Sequence, residues 1–72
     1  MKNSQIESKG ITVDADQPTY KNLSSVKGSG QVIKMPAAVG GYQMLVTVEG
    51  EGYGAFFATK TEAVIALVEK LS

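Results

Sequence analysis

Gly50, Gly52 and Gly54 alternate with Glu49, Glu51 and Tyr53 in the stretch of this chain most suggestive of chemistry. A glycine-rich loop cradles phosphate when a helix N-terminus follows it directly and turns its free N–H groups toward the anion. Here the apolar run Ala55-Phe56-Phe57 follows instead, and the two glutamates would repel a phosphate. Gly28-Ser29-Gly30 likewise leads toward Val32-Ile33, with no Gly-Lys-Ser/Thr element. Asp14 and Asp16, with Glu49 and Glu51, form two carboxylate pairs of the kind that hold hard cations. Nothing in their spacing brings the pairs together: Asp16 suits a helix cap, and Glu49 and Glu51 suit a solvated hairpin tip. Ser24, Ser25 and Ser29 have no base to activate them, because the chain contains no histidine. These residues predict a protein that is not an enzyme and that carries no cofactor and no metal.

The 72 residues make one domain, residues 1–72. Without cysteine there is neither a disulfide nor a thiolate metal site to support so small a core. Seven lysines balance seven carboxylates, and no arginine is present. That balance disfavours nucleic acid as the main partner, since arginine is the side chain best shaped to grip phosphate and guanine. No apolar run approaches the ~18 residues that would span a bilayer. Met1–Gln5 leads into no signal-peptide core, so the expectation is a soluble cytoplasmic protein.

Positioning these residues falls to a few elements. Residues 1–10 read as a loose end. Ile11–Asp14 has the alternation of a short strand, and Asp16-Gln17-Pro18 resembles a helix start. Tyr20, Leu23 and Val26 follow at three-residue spacing, so one or two turns of helix over residues 17–26 compete with coil. Gln31–Met35 reads as a strand. Residues 42–58 form a β-hairpin about Gly50-Glu51-Gly52, because glycine reaches the positive φ that tight turns require. Thr59-Lys60-Thr61-Glu62 matches a capping box and opens a helix over residues 60–71. Ala63, Val64, Ile65, Leu67, Val68 and Leu71 sweep its apolar face. The fold class is α+β: a small three- to four-stranded, mostly antiparallel sheet with a C-terminal helix packed on one face.

Hairpin register decides which side chains share a face. A two-residue loop at Gly50-Glu51 pairs Val48 with Tyr53, Val46 with Ala55 and Met44 with Phe57. Those residues and Tyr42 then lie under the helix, with Leu45 and Phe56 on the opposite face. A three-residue loop pairs Val46 with Phe56 and Leu45 with Phe57. In either register one helix covers one face only, and the other is left to the N-terminal thirty residues, a second copy or another protein.

Two resemblances accompany this reading. Phe57-Ala58-Thr59-Lys60-Thr61-Glu62-Ala63 resembles the strand-to-helix junction of the three-stranded domains by which some phage-type integrases bind DNA, domains that are basic where this chain is neutral. Val46–Glu49, Gly52–Ala55 and Thr61–Ala63 together resemble the strand-hairpin-helix rhythm of HicB-type antitoxins, although the Pro-Asp-Leu-Pro-Gly segment of that family is missing. Each covers less than half of the chain.

The function expected is that of a non-catalytic protein-binding module, an inhibitor, antitoxin-like or adaptor protein. It would occupy a partner protein's surface through an apolar sheet face or edge strand. Tyr42, Leu45, Tyr53 and Phe56 are the expected contacts, with Glu49 and Glu51 on the rim. The alternatives are nucleic-acid binding through the sheet and Lys21, Lys27 and Lys34, or a structural homo-oligomer such as a homodimer.

Overall fold

The polar N-terminal half, expected to hold one short strand followed by a turn or two of helix or by coil, is mostly sheet. A computed structural model describes residues 1–72. The elements in chain order are α1 (Asn3–Glu7), β1 (Thr12–Gln17), β2 (Tyr20–Ser25), β3 (Gly28–Lys34), β4 (Tyr42–Val48), β5 (Glu51–Phe57) and α2 (Lys60–Leu71). The strands form one antiparallel sheet in the order β1-β2-β3-β4-β5, so the α+β sheet has five strands rather than three or four. No helix is long and apolar enough to cross a membrane.

Pro18 does not start a helix. Gln17 pairs with Tyr20 across Pro18-Thr19, where the fixed φ of proline suits the first central position of a turn. The three-residue spacing of Tyr20, Leu23 and Val26 is not helical either. Leu23 is buried under α2, Tyr20 projects from the other face, and Val26 sits in the β2–β3 turn.

Packing follows the strand alternation. Leu23, Val32, Met44 and Val46 meet Ala63, Val64, Leu67, Val68 and Leu71 of α2 in one buried cluster. Gly30 admits the helix at close range: a Cβ there would lie 2.4 Å from Leu67 Cδ1 and 2.7 Å from the Leu45 carbonyl oxygen. Ile6 of α1 and Ile11 close one end of this core, and Ile6 is 0% exposed. The end expected to be loose thus contributes a short helix and a core side chain.

A polar knot holds α1 to the sheet. Asn3 Nδ2 donates to Asp16 Oδ2 at 2.9 Å, and Lys21 Nζ donates to Asn3 Oδ1. Lys21 and Lys60 approach the Asp16 carboxylate at 3.6 and 3.9 Å. The hydrogen bond from Asn3, assisted by these two ammonium groups, holds Asp16 below the usual carboxylate range.

The β4–β5 hairpin turns on Glu49-Gly50, with φ of 54° and 80°. Positive φ at both central residues is the type I′ pattern that matches strand twist, and glycine takes the second position. Val48 therefore pairs with Glu51, Val46 with Tyr53, Met44 with Ala55 and Tyr42 with Phe57. The register differs by two residues from that of a Gly50-Glu51 loop. A two-residue shift leaves every side chain on its expected face.

Thr59 caps α2 by accepting the Glu62 N–H at 3.2 Å. The Thr59 hydroxyl also donates to the Glu62 carboxylate at 2.8 Å, so the side chains meet directly in place of the reciprocal backbone bond of a full capping box. Ile65, expected on the apolar face, is exposed.

Candidate functional site

Opposite α2 the sheet is bare. The N-terminal half does not fold back over this side: it widens the sheet, and α1 joins the helix layer. Pairing across the strands arranges the bare side chains in three rows. One row runs Gln17, Tyr20, Ile33, Gln43, Phe56. The next runs Ala15, Asn22, Gln31, Leu45, Gly54. The third runs Thr12, Ser24, Ser29, Thr47, Gly52. None of these residues is buried, and none is charged. In a chain with 19% charged residues, the paired rows of this face hold only amides, hydroxyls and apolar groups, with the unpaired Asp14 at the β1 margin.

The face is slightly hollow. A depression of about 600 Å³ is lined by Asn22, Ser29, Gln31, Leu45 and Thr47, with Asp14 among its lining residues. Asp14 is the extra residue of a bulge between Val13 and Ala15, which interrupts the pairing of β1 with β2. Gly52 and Gly54 keep the β5 side low; a Cβ at Gly54 would meet Leu45 Cδ2 at 3.2 Å, and one at Gly52 would meet nothing. Asn22 Oδ1 lies out of solvent and accepts no hydrogen bond. An unsatisfied amide oxygen of this kind costs about 1–3 kcal/mol.

The expected contact residues divide between two surfaces. Leu45 and Phe56 lie on the bare face, Leu45 half-buried across Gly54 and Phe56 65% exposed. Tyr42 and Tyr53 lie on the helix side. Tyr42 packs against the core, while Tyr53 remains 43% exposed beside α2, with Lys70 Nζ 4.4 Å from its ring centroid. The Tyr53 hydroxyl donates to Glu51 Oε2 at 2.7 Å. That bond, with slight desolvation and the nearby Glu49 charge, raises the phenol pKa. Glu51 therefore serves as an acceptor within β5, and Glu49 occupies the turn.

The three lysines named for nucleic acid do not converge. Lys21 is 6% exposed beneath the helix layer, Lys27 sits in the β2–β3 turn, and Lys34 projects from the helix side at the end of β3. The two carboxylate pairs lie on opposite edge strands or their adjoining turn, and no group of three or more metal-ligating side chains assembles. Sequence reasoning missed what β2 and β3 add to the polar part of the face, Asn22, Ser29 and Gln31. Its signal was the alternation of Lys21, Leu23 and Val32 with those residues, which is legible only once residues 20–34 are taken as two strands.

The sheet ends in two edge strands, β1 and β5. On β5 the outward groups follow from the turn. A two-residue turn closes on a hydrogen-bonded pair, here Val48 and Glu51. Alternation then directs the peptide groups of Glu51, Tyr53, Ala55 and Phe57 toward β4, and those of Gly52, Gly54 and Phe56 away from the sheet. No protein-family model matches this chain, and no curated protein or solved structure is significantly similar to it.

Proposed function

We propose that this protein is a non-catalytic binding module that works by occupying the surface of a partner protein, with the bare sheet face as its contact surface. The observation that carries this reading is a five-stranded face with no charged side chain in its rows and Phe56 65% exposed in one row with Gln43 and Ile33. Depletion of charge around exposed aromatic and aliphatic groups is the composition of an interface core. The molecule is a slab of 35 × 27 × 16 Å. Its broad side is comparable to the ~800 Å² that one partner contributes to a standard interface. A docked protein could also offer an N–H to a reoriented Asn22 amide.

The test places a photo-crosslinking phenylalanine analogue at position 56 in cells, with a second variant carrying it at Ile65 on the exposed side of α2. Support would be a discrete adduct to a different protein from position 56, absent from position 65. Leu45→Ser introduced beside the analogue should abolish that adduct while helix content is unchanged. Equal adducts from both positions, or adducts to further copies of this chain alone, would overturn the reading.

A further inference from the structure

We infer that β5 pairs with β5 of a second copy, antiparallel about a two-fold axis at Gly54, to form a continuous ten-stranded sheet. The two edges of the sheet are not equivalent. The β1 edge is broken by the bulge at Asp14 and carries the charges of Asp14 and Asp16, and bulges and edge charges are devices by which natural sheets discourage pairing. The β5 edge runs from Glu51 to Phe57 in unbroken register with β4, without proline, lysine or bulge. No side chain stands at Gly52 or Gly54 to obstruct an approaching strand.

The outward peptide groups select one register. Gly52, Gly54 and Phe56 all find partners only if Gly54 faces Gly54 and Gly52 faces Phe56 of the other copy. On the bare face this lays each Phe56 ring over the empty space above the other copy's Gly52, where a Cβ would meet nothing within 4 Å. An aromatic side chain across from an edge glycine is a stabilising cross-strand pair. On the helix side Tyr53 faces Ala55, and Glu51 faces Phe57. The two Glu51 residues then stand six residues apart along the strands, about 20 Å, and do not repel directly.

The helices allow this arrangement. The core side chains place α2 over β3 and β4, about two strand spacings from the axis. With strands ~4.8 Å apart, the two α2 axes would be separated by about 19 Å. That exceeds the ~10–12 Å diameter of a helix, so they do not collide. The axis stands perpendicular to the sheet, so both bare faces point the same way. The pairing rests on edge geometry and holds whatever occupies the bare face.

The chain has no cysteine, so single cysteines report the register. Residues facing each other at a hydrogen-bonded pair have Cα atoms about 5.5 Å apart, within disulfide range. Gly54→Cys should become a disulfide-linked dimer under mild oxidation. Gly52→Cys alone should not, because two copies of residue 52 lie about 14 Å apart. Mixing Gly52→Cys with Phe56→Cys should restore the cross-link. Light scattering on the unmodified chain should give twice the 7.6 kDa monomer mass at high concentration. Gly54→Pro, which removes an outward N–H, should return it to the monomer. A monomer at all concentrations would overturn the inference, as would a dimer that cross-links equally well through residue 52 alone. If Gly54→Pro fails to fold, the cysteine pattern still decides.

Discussion

Replacing Gly30 with alanine tests how α2 is seated on the sheet. The added methyl would stand 2.4 Å from Leu67 Cδ1 and 2.7 Å from the Leu45 carbonyl oxygen. Carbon atoms rest at about 3.5–4.0 Å, so the first contact is more than 1 Å too short. Leu67 is fully buried, and the oxygen belongs to the neighbouring strand. Relief therefore requires an off-rotamer Leu67, a lifted helix or a distorted ladder. Overpacking of this kind costs about 1–3 kcal/mol, out of roughly 3–5 kcal/mol for a single core of this size. With a urea dependence near 1 kcal/mol per molar for a small domain, the unfolding midpoint should fall by about 1–3 M. Far-UV circular dichroism during urea titration measures it. Leu67→Ala alone should cost about 2–5 kcal/mol. The double variant should cost less than the sum by on the order of 1 kcal/mol, because the new methyl enters the vacated space. Gly52→Ala serves as the contrast, since its Cβ meets nothing; it should be neutral or stabilising by up to ~1 kcal/mol. A Gly30→Ala midpoint unchanged within error, or strict additivity with Leu67→Ala, would refute the packing argument.

Ile6→Ala should cost about 2–5 kcal/mol in the same titration, because Ile6 is a fully buried core residue rather than part of a free end. Glu49→Asn should stabilise the protein by on the order of 0.5–1 kcal/mol, since asparagine tolerates the left-handed conformation that Glu49 adopts at φ 54°. Asp16 has its pKa lowered in the folded state, so its contribution to stability is present above the unfolded value of about 3.9 and is lost as pH falls through the folded value. Asp16→Asn should lower the thermal midpoint at neutral pH and flatten its acid dependence below that range, as read by calorimetry across an acid series.

The C-terminal half is written in local signals. Thr59 and Glu62 mark the start of α2, and glycines mark the β4–β5 turn. The period-two alternation through Tyr42–Val48 assigns faces correctly even when the register is set two residues away. The N-terminal half lacks such marks for a physical reason. Its two tight turns, Pro18-Thr19 and Val26-Lys27, contain no residue with positive φ, so neither needs the Asn-Gly or Asp-Gly pair that announces a hairpin. The second is held instead by Ser25, whose Oγ accepts the Lys27 N–H at 3.2 Å and donates to the Leu71 carbonyl at 2.7 Å. That last bond joins residues 46 positions apart and has no local signature. The contact set Tyr42, Leu45, Tyr53 and Phe56 divides for a related reason. Alternation places Tyr42 and Tyr53 with the core, and aromatic character alone does not distinguish a surface anchor from a packing residue.

Each strand of the sheet pairs with its neighbour in sequence, and three of the four connections are the short turns Pro18-Thr19, Val26-Lys27 and Glu49-Gly50. Loops that short are closed at little entropic cost, and isolated hairpins form in about 1–10 μs. A sheet assembled by successive local closures should fold quickly for a β-rich chain, leaving little time for half-made strands to meet those of other chains. Aggregation, where it occurs, is then expected to begin at the rim of the finished sheet, on the glycine-bearing strand β5, rather than from a slowly folding intermediate.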